Sequence, residues 1–154
     1  MPATAASPLG PWLAAACLAA LLLAVAVIDI RERRIPDALN AAIGAAGLAA
    51  TWLLGRDLVA ALIGVAAGYL AIAGVNALFR RMRGRDGVGM GDAKLLGALG
   101  AWVMWWGLPF VVLVASTAGL AVALLRGAAR GEMIPFGPFV AAAGFIVWLA
   151  QLSF

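Results

Sequence analysis

The stretch Gly87-Val88-Gly89-Met90-Gly91-Asp92-Ala93-Lys94-Leu95-Leu96 sets three glycines, a carboxylate and an ammonium at the mouth of an apolar segment. No residue from Leu95 to Gly107 is charged. A carboxylate at the edge of hydrocarbon is costly unless it has a partner or a task. One comparable group exists elsewhere. Asp29 closes the first apolar segment, after a charge-free run from the N-terminus. The two aspartates are expected to meet and form a catalytic dyad.

The surrounding composition sets the medium. Of 154 residues, 66% are hydrophobic and 12% charged, more apolar surface than a soluble domain of this size can hide. Long charge-free stretches read as transmembrane helices. The expected class is an all-α membrane protein with about six transmembrane helices, forming a single integral-membrane domain over residues 1–154. Cys17 is alone, so it forms no intrachain disulfide and reads as a small buried hydrophobe. The absence of histidine excludes His-based metal sites and Ser-His-Asp or Cys-His catalysis. Acid-base work falls to carboxylates, lysine or tyrosine. No metal or cofactor is expected. The N-terminus lacks a basic region, so its apolar run is expected to stay as an anchor.

Working outward, Pro11 suits the first turn of a helix, and Leu13 to Ile28 forms the first span, ended by Asp29. Ile35-Pro36 breaks the chain, because a residue before proline is pushed out of the α region. Asp37 is placed to cap a second helix, Ala38 to Leu54. A turn at Gly55-Arg56-Asp57 leads to the third, Leu58 to Phe79, with Gly64-x-x-x-Gly68 as a close-packing face. Arg80 to Asp86 reads as a polar loop. The fourth helix, Ala93 to Trp106, is short for a full span. Gly107-Leu108-Pro109 reads as a turn before the fifth, Phe110 to Leu125. Arg126 to Glu132 is polar, and Ile134-Pro135-Phe136-Gly137-Pro138 opens the sixth, which runs to about Leu152. The six tryptophans read as mostly interfacial.

Orientation follows from the arginines. Loops after helices one, three and five carry Arg31, Arg33, Arg34, Arg80, Arg81, Arg83, Arg85, Arg126 and Arg130, while the opposite loops carry only Arg56. The positive-inside rule puts the first set in the cytoplasm and both termini outside it. This asymmetry, rather than nucleic-acid affinity, accounts for the net charge of +4. Asp29 and Asp92 then share one depth at the cytoplasmic boundary.

Two carboxylates sharing one proton can perform both halves of amide hydrolysis. The ionised one takes a proton from the attacking water, and the protonated one donates to the carbonyl oxygen. Gly89 and Gly91 would permit unusual backbone angles and a close approach by substrate or a second helix. Ala93, Gly97 and Ala101 continue a small-residue face at four-residue spacing from Gly89. Blander roles compete: Asp29 paired to Arg31 or Arg33, Asp92 as an N-cap, and Lys94 as a snorkelling charge or a group tuning Asp92. Asp37, Asp57 and Asp86 read as turn or loop residues.

Three motifs in order carry a resemblance. Asp29 with Arg33-Arg34-Ile35-Pro36-Asp37, then Gly89-Met90-Gly91-Asp92-Ala93-Lys94-Leu95-Leu96-Gly97-Ala98-Leu99-Gly100-Ala101-Trp102, then Ile134-Pro135-Phe136-Gly137-Pro138-Phe139, resemble the type IV prepilin peptidase family, bacterial G-x-G-D aspartyl membrane proteases. The resemblance implies that Asp29 and Asp92 are the catalytic pair. Gly89, Gly91, Lys94, Pro135 and Gly137 lie in motifs that would support the site. It also implies a multi-pass protein of the inner (cytoplasmic) membrane. Such an enzyme cuts a basic leader from prepilin or pseudopilin substrates at the cytoplasmic face, usually after a glycine and just before an apolar helix. Larger members carry paired Cys-x-x-Cys motifs associated with methylating the new N-terminus. This chain lacks them, so methyl transfer is not expected. The competing reading is a non-enzymatic or proton-coupled transport or assembly subunit, but polar groups within the spans are few, chiefly Asn76 and Thr117.

Overall fold

A computed structural model describes residues 9–84, 89–127 and 135–153 of the chain. Five helices occupy most of them: α1 (Gly10–Glu32), α2 (Asp37–Leu53), α3 (Leu58–Arg83), α4 (Met90–Leu125) and α5 (Gly137–Leu152). Three of these, α1, α3 and α4, are long and apolar enough to cross a membrane. Large apolar side chains such as Leu23, Val59, Leu70, Leu113 and Ile146 face outward, as a lipid-facing surface requires. The all-helical class is as expected.

Helix α4 is the centre of the architecture. Its 36 residues would be ~54 Å long if straight, well beyond a ~30 Å hydrocarbon core. It is not straight. Met104 leaves the helical region with φ 60° and ψ 179°, and the chain doubles back there. The reversal is visible in its neighbours. Leu99 packs on Gly144, and Val103 meets Gln151, so the first half runs parallel to α5. Gly107 approaches Gln151, whereas Gly119 lies against Phe136 and Phe139, so the second half runs the other way. The sequence reading placed this turn at Gly107-Leu108-Pro109. The structure puts it at Met104, in a backbone region that L-residues avoid, and Pro109 lies inside the second half.

The first half of α4 is buried almost throughout, from Ala93 to Met104 apart from Lys94. Close packing surrounds it. A Cβ on Gly64 or Gly100 would run into the other's helix backbone, so α3 and α4 touch main chain to main chain. Gly68 seats on the Leu96 carbonyl, and Gly97 on Tyr69 and Val65. The Gly64-x-x-x-Gly68 face therefore packs as expected, and Gly97 of the second small-residue face does so as well. Trp102 is wedged against Gly47 of α2 and donates from Nε1 to the Ile43 carbonyl at 2.9 Å. It also meets Trp148 edge to face, with centroids 5.4 Å apart. Trp102 and Trp148 are thus core residues and depart from the interfacial reading, while Trp12, Trp52, Trp105 and Trp106 are exposed.

Other boundaries shift for identifiable reasons. Helix α1 continues past Asp29 to Glu32 and ends where Arg33 turns left-handed, φ 53°. Helix α3 continues through Arg80, Arg81 and Arg83 to a left-handed Gly84, φ 67°, so these arginines decorate a helix end rather than a loop. Basic side chains suit the negative end of a helix dipole. Cys17 is exposed on α1 rather than buried.

Candidate active site

Asp29 sits in the last turns of α1, where it is 7% exposed. It accepts a hydrogen bond at Oδ2 from the backbone N–H of Gly137, at 3.0 Å. Gly137 is the first residue of α5, and the first amides of a helix have no partner within it. The positive end of α5 is thereby aimed at the carboxylate. The position demands glycine, since a Cβ on Gly137 would stand 2.6 Å from Oδ2 and 2.9 Å from Cγ of Asp29. No arginine pairs with Asp29 among the described residues.

Asp92 is in the first turn of α4 and half-buried. It is not the N-cap; Gly89 is, without a side-chain cap. Asp92 and Asp29 are close enough for their charges to act on each other. Residues distant in sequence are thus brought to one end of the bundle by α1, α4 and α5 together. The glycines beside Asp92 depart from the expectation of unusual backbone angles. Gly89 has an ordinary φ of −64°, and a Cβ there would only touch Asp92 Oδ2 at 3.5 Å. Gly91 presses against Ile35, with 3.4 Å to a notional Cβ. Neither takes a positive φ, and a Cβ at either would make only ordinary van der Waals contact, so the expected unusual backbone angles are not found at these two positions.

Lys94 turns away from the pair. Its Nζ binds both oxygens of Asp37 at 2.7 Å, in a partly exposed ion pair between α2 and α4. Asp37 is the first residue of α2 rather than its cap, since Pro36 is the N-cap and no side chain caps the helix. Asp57 caps α3, accepting from the Ala60 amide at 3.0 Å. Pro135 is half-buried just before α5. Gly87, Val88, Asp86 and Ile134 lie outside the described residues.

The sequence reading missed a site neighbour. Asn40 is 5% exposed and donates from Nδ2 to the Gly91 carbonyl, a long contact of 3.5 Å. Its Oδ1 is buried without a partner among the described residues. An asparagine near the start of a helix carries no sequence signal that would tie it to a glycine 51 residues away. On the α3 side, Asn76 is 1% exposed and its amide reaches the Met90 sulfur at 3.7 Å. The hydroxyl of Thr117, the other polar group singled out in the spans, bonds back to the Leu113 and Val114 carbonyls of its own helix.

Comparisons with known proteins identify the family. The type IV leader peptidase family model matches residues 16–124. The prepilin leader peptidase/N-methyltransferase of Burkholderia pseudomallei is 48% identical over 142 residues, 89% of this chain and 46% of that protein. Proteins of the same name from Aeromonas hydrophila and Pseudomonas aeruginosa are each 40% identical, over 89% and 86% of the chain and 49% and 48% of their own lengths. The chain spans about half the length of the curated relatives it matches. No solved structure matches. The apolar helices and these matches make this a multi-pass membrane protein, and the family model covers well over half of it: the chain belongs to the type IV leader peptidase family.

Proposed function

We propose that this protein is an aspartic endopeptidase that removes the basic leader of prepilin- or pseudopilin-like substrates at the cytoplasmic face of the inner membrane, serving a type IV pilus or a related secretion system. The reading is supported by Asp29 and Asp92 lying at one end of the bundle on different helices, near enough for the Asp29 charge to act on Asp92. The arginine asymmetry supports a cytoplasmic setting for that end. On this reading the two halves of α4 count as separate spans, giving six crossings in one integral-membrane domain with extracytoplasmic termini.

In the proposed mechanism the pair shares one proton. Asp29 already accepts an amide hydrogen from Gly137, which leaves Asp92 as the carboxyl carrying the shared proton. Asp29 takes a proton from water as its oxygen attacks the scissile carbonyl. Asp92 gives its proton to the carbonyl oxygen. As the tetrahedral diol collapses, one of its hydroxyls returns a proton to Asp92, the C–N bond breaks, and the proton held by Asp29 passes to the leaving amine. Only the peptidase half of the relatives' double name is proposed for these residues.

The test is co-expression with a small protein bearing a basic leader, a glycine and an apolar helix. Asp29→Asn and Asp92→Asn are expected to reach the membrane and leave it uncut. Glu at either position is also expected to fail, because one extra methylene misplaces the pair. Full processing by either Asn variant would overturn the assignment.

A further inference from the structure

The break at Met104 raises a question of hydrogen bonding. A helix that stops at residue 103 leaves its last carbonyls without donors, and in a buried or lipid setting each orphan is costly. Three side chains meet that need. The Thr51 hydroxyl donates to the Ala101 carbonyl at 3.0 Å, Arg56 Nη1 to that of Trp102 at 3.2 Å, and Gln151 Nε2 to that of Val103 at 2.9 Å. Arg56 Nη2 also donates to Gln151 Oε1 at 2.9 Å, which joins the set into one cluster. The donors come from the end of α2, the α2–α3 turn and the end of α5.

Arg56 is the arginine that stands apart in the sequence, on the opposite side from all the others. Among the described residues it has no carboxylate partner. Burial pushes its guanidinium below the ordinary range. What compensates its charge is the negative end of the first half of α4 and the carbonyls there.

The opposite end of that half-helix carries Asp92, and there Asn76 reaches the Met90 sulfur at 3.7 Å. Gly89 supplies no side-chain cap, the Asn40–Gly91 contact is long, and the Lys94–Asp37 pair is partly exposed. Residues 90–103 form a buried rod of ~20 Å. Wherever its far end is pinned, Asp92 follows. We propose that Arg56, with Thr51 and Gln151, is a positioning residue that fixes the height of Asp92 against Asp29 through this rod. The proposal rests on the peptidase reading for its kinetic consequence, but not for its geometric one.

Two measurements test it. The first uses a synthetic peptide with a basic leader, a glycine and an apolar helix, cleaved by the enzyme in proteoliposomes. Arg56→Ala is expected to lower kcat by up to ~10²-fold, the scale of an ångström-sized misplacement, with KM held within about twofold. Arg56→Lys, which cannot serve two acceptors with one planar fork, is expected to fall between. The second needs no activity. Met90→Cys in a Cys17→Ala background is alkylated with a membrane-impermeant maleimide. Without Arg56, the carbonyls of residues 101–103 are expected to move toward solvent at their own end of the rod and draw Met90, at the other end, inward, so labelling slows severalfold. If Arg56→Ala does not fold, Gln151→Leu removes the Val103 donor while leaving Arg56 on Trp102, and both effects are expected in weaker form. Unchanged labelling, or a loss confined to KM or to protein yield, overturns the proposal. A wild-type enzyme that leaves the peptide uncut overturns the peptidase reading instead, and the labelling result still decides the positioning role.

Discussion

The amide of Gly137 and the carboxylate of Asp29 are 108 residues apart in sequence and 3.0 Å apart in space. That bond joins the start of α5 to the end of α1 and gives a chemical role to a motif whose role was otherwise only implied by resemblance. Gly137→Ala puts a methyl group 2.6 Å from Oδ2. Asp29 must then move, and cleavage of the peptide substrate is expected to fall by ~10²-fold while the protein remains in the membrane. Near wild-type cleavage by Gly137→Ala would refute this role.

Glycines on α2, α3 and α4 divide into two kinds. A Cβ on Gly100 meets the backbone of Gly64 and Val65, which cannot yield as a side chain can. Gly100→Ala is expected to destabilise by ~3 kcal/mol or more. Gly44 has only Ala98 nearby, at 3.8 Å, and Gly74 has nothing within 4 Å. Gly44→Ala and Gly74→Ala are expected to stabilise by ~0.5–1 kcal/mol through helix propensity and a less flexible unfolded chain. Thermal unfolding in detergent separates the two groups; equal effects on both would show that the packing is not as described.

Lys94 binds Asp37 with 38% and 73% of the side chains exposed. Exposed pairs contribute ~0–1 kcal/mol. Lys94→Ala is therefore expected to cost less than ~1 kcal/mol and to leave kcat largely intact. A large loss of kcat at unchanged stability would restore Lys94 as a group that tunes Asp92.

Asn40 combines one long hydrogen bond with an unpaired buried oxygen. An orphan acceptor costs ~1–3 kcal/mol, whereas a typical bond contributes ~1 kcal/mol. Asn40→Leu, similar in size, is expected to hold or raise the melting temperature. A drop in melting temperature by several degrees would mean that Oδ1 has a partner, such as an ordered water.

Much was legible from the chain alone. Charge-free runs showed the helical membrane class, and the lone carboxylates at their edges singled out Asp29 and Asp92, because an unpaired charge beside hydrocarbon is too costly to be casual. Ile35-Pro36 marked a true break, since proline's ring restricts its neighbour locally. Local sterics of this kind need no knowledge of the fold. The break at Met104 was not legible. Methionine prefers a helix, and the side chains that satisfy the carbonyls exposed by the turn, Thr51, Arg56 and Gln151, come from elsewhere in the chain. Likewise, glycine at position 137 is required by Asp29, which arrives from another helix. Lys94 could not be assigned to Asp37 before α2 was laid beside α4. Patterns along the chain report the cost of putting a residue in water or lipid, whereas partners depend on which helices meet, and that is settled only when the bundle closes.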